Sequence, residues 1–397
     1  MISVDEAVAR ITRAFSALPA ETVPIAEAAG RVLAADAIAG MDQPPAPMSA
    51  MDGYAVHHSE AAVGAQLAVI GEAPAGRPYE GRLSSGQAVR IFTGGVVPEG
   101  ADAVVIQEDT ERDGRRITVK EAPRPGENVR RRGLDFRSGE ILCPKGHRLS
   151  ARDVALLAAG DLAIVPVTRR PRVAIVATGD ELSRPGEPRK TGGIVASSTY
   201  ALQAMVRAWG GEPIDAGILP DKTEAFARLP EATRDADLIV TQGGASVGDH
   251  DLVQSALKPH GFQLDFWKIA MRPGKPLIFG YLRDTPFLGL PGNPVSAMVC
   301  SVLFMQPAVS AMLGRDYRAP IVKARLASAL RANGRRQDYI RARLAYSNGQ
   351  RIAEPFTQQD SSMQKVFAQS DGLIIRKVDA PPADPGEDVD VLILEQC

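Results

Sequence analysis

The densest run of chemistry-capable residues is LIVTQGGASVGDHD, from Leu238 to Asp251. Gly243, Gly244 and Gly248 admit backbone conformations that other residues disfavour, so successive N–H groups could converge on one anion, with Ser246 adding a hydroxyl. Asp249 and Asp251 follow at once. A bare carboxylate beside a phosphate repels it, so this neighbourhood suits a divalent cation between the two; the plainer alternative is a strand-to-helix turn with Asp as N-cap. Two other stretches repeat the theme: Thr178-Gly179-Asp180-Glu181 and Pro291-Gly292-Asn293-Pro294. All three follow apolar runs, and at one sheet edge they would offer N–H donors and helix N-termini to a phosphorylated ligand. Glu181 is a metal or base candidate. Arg272 and Lys275 sit in the Pro-braced turn Met271-Arg-Pro-Gly-Lys-Pro276, a restricted basic loop that can hold an oxyanion or simply form a surface turn. Asp221 reads first as an N-cap and second as a ligand; Asp52 and Asp135 lie on glycine turns, as loop carboxylates or as site residues.

Several chemistries are disfavoured. Gly243 to Gly248 has P-loop spacing, but Asp249-His250 stands where Lys-Ser/Thr is required, and no GxGxxG opens a helix. Cysteine or serine nucleophile catalysis is not expected, and the five histidines show no HExxH pattern. The three cysteines, Cys143, Cys300 and Cys397, are far apart with no CxxC, which points to the reducing cytoplasm. No apolar run is read as reaching about 18 residues, so no membrane partner is expected. Lys plus Arg number 46 and Asp plus Glu 47, a formal net charge of -1, so the chain as a whole is no polyanion binder. The basic segment from Arg112 to Arg132 lacks interleaved aromatics and reads as a solvated face, with no nucleic acid as partner.

The elements that must position these residues follow from periodicity. At 397 residues the chain suggests two to four domains. Ser3-Val-Asp-Glu6 is a capping box before an amphipathic helix, and AEAAGRVLA within residues 22–39 reads as a second, short one. Three prolines in Gln43-Pro-Pro-Ala-Pro47 mark a boundary. Short β-type runs at Leu67, Ala88, Ala103 and Arg116 follow. A helix from Ser150 to Ala159 stops at Gly160. From Pro171 strands alternate with helices, the signature of a mostly parallel sheet covered by helices, and Asp221-Lys-Thr-Glu224 reads as a capping box within it. Past Gly314 short β segments resume, with a hairpin signal at Ser347-Asn348-Gly349. The expected fold is multidomain α/β plus β: a discontinuous helical/β domain from 1–40 and 138–168, a β-rich insertion at 41–137, a central α/β domain at 169–313, and a C-terminal β-barrel-like domain at 314–397.

The ordered motifs Ser49-Ala-Met-Asp-Gly-Tyr-Ala55, Thr93-Gly-Gly-Val-Val-Pro-Glu-Gly-Ala-Asp102, Gly126-Glu-Asn-Val-Arg130, Ala177-Thr-Gly-Asp-Glu-Leu182, Gly243-Gly-Ala-Ser-Val-Gly248, Arg272-Pro-Gly-Lys-Pro276 and Leu290-Pro-Gly-Asn-Pro-Val-Ser296 span nearly the whole chain. With them the sequence resembles the molybdopterin molybdenumtransferase family, the metal insertases of molybdenum cofactor assembly, related to the insertase half of gephyrin. The resemblance implies a homodimer with a shared site, Asp52 contributing across the interface. It implies that adenylylated molybdopterin and molybdate, with Mg2+, give molybdenum cofactor and AMP. On that reading Asp251, Asp52, Asp135 and Glu181 are catalytic candidates, and Glu181, Asp249 and Asp251 candidate Mg2+ ligands. Thr93, Gly179, Gly243, Gly244, Ser246, Gly248, Asp221, Pro291 and Gly292 would hold the pterin substrate; Arg272, Lys275 and Ser296 would hold molybdate, with Arg336 and Ser361 or Ser362 as weaker candidates. Arg272 stands where many relatives have Lys. The alternatives are a molybdopterin adenylyltransferase, which would make the nucleotide adduct rather than consume it, and a pterin carrier or scaffold without turnover. Contact with other cofactor-assembly proteins is also implied.

Overall fold

The structure, a computed structural model, describes residues 1–243 and 256–394. The chain divides into two compact units, Thr22–Val167 and Met1–Glu21 with Thr168–Cys397. The expected first helix is α1 (Val4–Arg13), which buries Val4, Ala7 and Ile11. Ser3 accepts from the Glu6 amide at 3.1 Å, but the Glu6 carboxylate turns to Arg10 at 2.6 Å.

In the unit Thr22–Val167, strands β1 (Gly53–Val56), β2 (Gln66–Ala73), β3 (Gln87–Ile91), β4 (Ala103–Ile106), β5 (Thr110–Asp113) and β6 (Arg116–Val119) form one sheet in the order β4-β1-β3-β2-β6-β5. Only β2 and β3 pair in parallel. A second core in this unit gathers Val23, Leu33 and Ala37 with Cys143, Leu149, Leu157 and Val165 around helix α2 (Ala151–Ala159). Ser150 and Asp153 close a full capping box on α2, and Gly160 ends it. The helix expected within 22–39 does not form; the chain makes one 3-10 turn, Ile25–Glu27, before Gly30 takes a left-handed φ of 75°. Val32 and Leu33, adjacent and both buried, then bridge to Arg148 and Val167. Adjacent buried residues on opposite faces need an extended backbone, and tertiary burial outweighs weak helix propensity.

In the other unit, β7 (Arg172–Thr178), β8 (Glu212–Leu219), β9 (Leu238–Gln242), β10 (Phe262–Trp267), β11 (Ile278–Leu282) and β12 (Thr285–Leu290) form a sheet in the order β8-β7-β9-β12-β11-β10. The three pairings among β8, β7, β9 and β12 are parallel and the two involving β11 antiparallel. From β7 the chain goes first to β8 on one side and then to β9 on the other, so the strand order switches at β7/β9. Helix α3 (Ser197–Ala208) packs on this sheet.

One long helical run follows, α4 (Pro294–Cys300), a π-helical turn Ser301–Met305, and α5 (Gln306–Met312). Pro307 cannot donate to an i−4 carbonyl and crowds it, and the wide turn relieves that conflict. Contrary to the expectation that no apolar run reaches membrane-spanning length, Pro294–Met312 does, with mean hydropathy 1.6 over its most apolar window; 83% of that window is buried inside the protein. The C-terminal strands β13 (Ile321–Leu326), β14 (Gln337–Ser347), β15 (Gln350–Pro355), β16 (Gly372–Arg376) and β17 (Asp388–Ile393) close a five-stranded barrel in the cyclic order β14-β15-β13-β17-β16. The expected hairpin joins β14 and β15, with Asn348 and Gly349 both at positive φ. The architecture is multidomain α/β plus β.

Candidate active site

The carboxyl ends of β7, β9 and β12 border one cavity of about 620 Å³, lined by Thr178, Gln242, Gly243, Pro291 and Gly292. This is where a parallel sheet opens a crevice, at the switch in strand order. Glu181 and Asp221 line its wall, and α3 begins on it with Ser197 and Ser198. Within it the Thr178 hydroxyl and the Gln242 side-chain carbonyl are enclosed and have no hydrogen-bond partner among the described residues. The Gln242 amide nitrogen ties β9 to the next strand end by donating to the Gly292 carbonyl at 2.7 Å.

Of the glycines expected to offer N–H groups, Gly243 and Gly179 use theirs within the fold. The amide of Gly243 donates to Leu290 O at 3.2 Å, and that of Gly179 to Leu219 O at 3.1 Å. Both donors are spent on the sheet. What these positions require is the absence of a Cβ. At Gly243, with φ 97°, a Cβ would lie 2.6 Å from the Thr178 carbonyl oxygen. At Gly179 it would lie 2.6 Å from Glu181 Oε2, so the glycine leaves room for that carboxylate. The start of α3 also lies on this cavity, and its first N–H groups, which have no partners within the helix and no side-chain cap, could donate to an anion.

Asp221 also departs from expectation. The one-turn helix Thr223–Phe226 has Lys222 as N-cap without a side-chain bond, so Asp221 is no cap and stands on the cavity wall instead. One residue beyond Lys222 the chain turns helical, too short a run for the box geometry.

A second cavity, about 510 Å³, is lined by Arg272, Lys275, Ser296, Arg336 and Ser361, and Pro276 lines both cavities. The basic loop is strapped to the barrel: Met271 and Arg272 pair in parallel with Gln337 and Asp338 of β14. Arg272 forms an ion pair with Asp338, whose carboxylate is buried, so the Arg272 charge is largely balanced. Exposed Lys275 and half-buried Arg336 carry the remaining positive charge lining this wall. Arg341 is almost fully buried; it donates to Gln359 Oε1 at 2.9 Å and to the Asp360 carbonyl at 2.7 Å. Burial works against its charge. Asp360 accepts from the Ser362 hydroxyl and amide, which hold its carboxyl below the usual range. This pinned loop reaches α4: the Val295 amide donates to Ser361 O at 3.0 Å, and Asn293 Nδ2 to Ser361 Oγ at 3.0 Å. Ser361 therefore faces the second cavity and Ser362 the first.

In the unit Thr22–Val167 three motifs that are separate in sequence converge. Ser49 exchanges backbone hydrogen bonds with Gly94 and Gly95, and the Ala50 amide donates to Asn128 O at 2.8 Å. Asp52 accepts from the Thr93 amide at 2.7 Å and its hydroxyl at 2.8 Å, which lower its pKa. Both are exposed. Asp135 is exposed on a separate turn, its amide donating to Gln43 O at 2.9 Å.

Of the candidates, Glu181, Asp221, Gly243, Pro291 and Gly292 meet at the first cavity, Arg272, Lys275, Ser296 and Arg336 at the second, and Asp52 and Thr93 pair in the other unit. Gly244, Ser246, Gly248, Asp249 and Asp251 lie outside the described residues. Sequence reasoning missed Ser197, Ser198, Gln242, Asp338 and Arg341. The run Ser197-Ser198-Thr199 opening a helix was a readable anion signal; nothing local marks Asp338 or Arg341.

Comparison with known proteins places the chain. Residues 2–160 match the MoeA N-terminal region (domain I and II), residues 174–311 the probable molybdopterin binding domain, and residues 323–394 the MoeA C-terminal region (domain IV). A molybdopterin molybdenumtransferase of Nostoc sp. is 38% identical over 386 residues, covering 94% of this chain and 88% of its own length. That of Haemophilus influenzae is 35% identical over 399 residues, 98% of each. The crystal structure of the molybdopterin biosynthesis MoeA protein of Pyrococcus horikosii superposes with a TM-score of 0.87 at 31% identity, covering 100% of both chains. The chain belongs to the molybdopterin molybdenumtransferase family.

Proposed function

We propose that the chain transfers molybdenum from molybdate to adenylylated molybdopterin, releasing AMP and forming molybdenum cofactor. One observation carries this reading: a strand-end cavity suited to a phosphorylated ligand and a cationic cavity suited to a tetrahedral oxyanion meet at Pro276. The start of α3 and the Gln242–Gly292 strand ends would bind and orient the phosphates. Lys275, Arg336 and Ser296 would hold molybdate, with Arg272 steadied by Asp338 at the rim. Binding both substrates side by side converts a bimolecular reaction into an effectively intramolecular one.

The hard oxygen donors on the first cavity's wall, Glu181 and Asp221, fit Mg2+, and the missing Cβ at Gly179 gives the Glu181 carboxylate its place. Glu181 with Asp249 or Asp251 would hold the ion, which supplies charge neutralisation at the phosphates. Asp251 is assigned to orient the attacking water. The same reading takes a cytoplasmic homodimer as the working form, with Asp52 contributed across its interface.

The test incubates the protein with adenylylated molybdopterin and Mg2+, with and without molybdate, and follows AMP. Molybdate-dependent release in wild type, abolished by Asp251→Asn and shifted to higher molybdate by Lys275→Ala, supports the reading. A folded, pterin-bound protein that releases no AMP refutes it and leaves a carrier; ATP-dependent formation of the adduct would instead identify an adenylyltransferase.

A further inference from the structure

We propose that Cys143, His147 and Asp153, in the unit Thr22–Val167, form a site for a divalent transition-metal ion of borderline softness, of which Zn2+ is the type. Their ligand atoms, one thiol sulfur, one imidazole nitrogen and one carboxylate oxygen, all lie within 4.8 Å of one another. Cys143 Sγ is 4.0 Å from Asp153 Oδ1, and His147 Nε2 is 3.0 Å from Asp153 Oδ2. Ligand atoms around a tetrahedral zinc stand roughly 3.3–3.6 Å apart, given bonds of about 2.0–2.3 Å, so closing on an ion needs side-chain shifts of about an ångström or less.

The group is prepared for that role by features a chance cluster lacks. Nε2 of His147 is enclosed and makes no well-aligned hydrogen bond; its polar neighbour is Asp153 Oδ2 at 3.0 Å, a pair that an ion would bridge. The carboxylate is already aimed: the Ser150 amide donates to Asp153 Oδ2 at 2.7 Å, the outer support that metal-ligating carboxylates use. The backbone between the ligands is fixed as well. Cys143 ends the strand Ile141–Cys143; the His147 amide donates to Pro144 O, and its carbonyl accepts from the Leu33 amide at 3.0 Å. Asp153 occupies the third position of α2. The His147 side chain is 39% exposed, so its ring lies at the edge of the group although Nε2 itself faces inward. Binding would release the Cys143 thiol proton to solvent and form a metal–thiolate bond, stapling strand, turn and helix of one small core.

The other candidate trio among the described residues, His57, His58 and Asp102, holds no sulfur, and His58 Nδ1 already contacts Asp102 at 2.6 Å. Thiolate ligation therefore distinguishes the two. The experiment titrates chelator-stripped full-length protein with Co2+, then displaces it with Zn2+. A saturable thiolate-to-cobalt charge-transfer absorption is expected, lost in Cys143→Ser, weakened at least about tenfold in His147→Ala, and retained in His58→Ala and Cys397→Ser. Zn2+ should raise the Tm of wild type but not of Cys143→Ser. A band that survives Cys143→Ser, or none at all with Co2+ in excess, overturns the proposal. Should Cys143→Ser fold poorly, as its melt in chelator would show, His147→Ala decides: an unchanged Co2+ affinity in that partly exposed variant refutes the site equally.

Discussion

Gly243→Ala tests the claim that the strand-end glycine is required for space and conformation, and not as an anion donor. Alanine there would keep φ near 97° or force the strand end to move. Holding a Cβ residue in this region costs about 1–2 kcal/mol. The new Cβ would also sit 2.6 Å from Thr178 O and 2.7 Å from Thr178 Oγ1, and overpacking of this kind costs about 1–3 kcal/mol. Partial relaxation leaves an expected destabilisation of roughly 2–4 kcal/mol. At about 2–4 °C per kcal/mol for units of this size, Tm should fall by roughly 4–16 °C. Gly292→Ala is the control on the same edge: its Cβ would meet only Gly243 Cα, at 3.7 Å, and its φ is not in the left-handed range. Differential scanning calorimetry of both variants, with AMP-adduct binding measured beside it, separates the possibilities. A Gly243→Ala melt within a degree of wild type would refute the steric reasoning. A melt that is unchanged while ligand binding is lost would show instead that the added Cβ obstructs the ligand.

Arg341→Met removes a buried guanidinium and one of the two donors to each of Gln359 Oε1 and the Asp360 carbonyl, which keep the residue-341 and Met363 amides, so a loss of about 1–2 kcal/mol is expected in denaturant titration; molybdate affinity should fall too, because the loop bearing Ser361 loosens. The Asp153 carboxyl is held down to about 2, first by the Ser150 hydroxyl and then by its amide. A carboxylate depressed in the fold adds stability above its unfolded pKa and loses it as pH falls through the folded value, so this contribution should disappear between about pH 4 and pH 2. Ser150→Ala, measured in chelator, should cost about 1 kcal/mol at neutral pH and flatten that acid-side loss; an unchanged slope would show that the cap does not set the pKa.

Much of the architecture could be read from local pattern. Alternating apolar runs and helices after Pro171 specify a parallel-type sheet, because strands buried on both faces must be continuously apolar and crossovers must be helical. Asn348-Gly349 specify a hairpin because both residues tolerate positive φ. The convergence of the glycine turns on one edge followed from chain direction alone, and the structure bears it out at Thr178, Gly243 and Gly292.

Other features needed partners remote in sequence. Whether Gly243 offers its amide depends on Leu290, 47 positions on, which takes it. Whether Arg272 is a free cation depends on Asp338, separated from it by 66 residues and visible only when the loop pairs with the barrel. Asp221 looked like a cap because capping is a local rule, yet the helix starts one residue later and leaves its carboxylate on the cavity wall. Residues 22–39 looked helical, but Val32 and Leu33 are both buried, on opposite faces of an extended backbone. The sequence by itself determined which residue types stand at each strand end and how the backbone must turn there, since these follow from sterics within a few residues. The tertiary structure alone decided which donors and charges remain for a ligand, because a group's availability is set by whatever else the fold brings within hydrogen-bond reach.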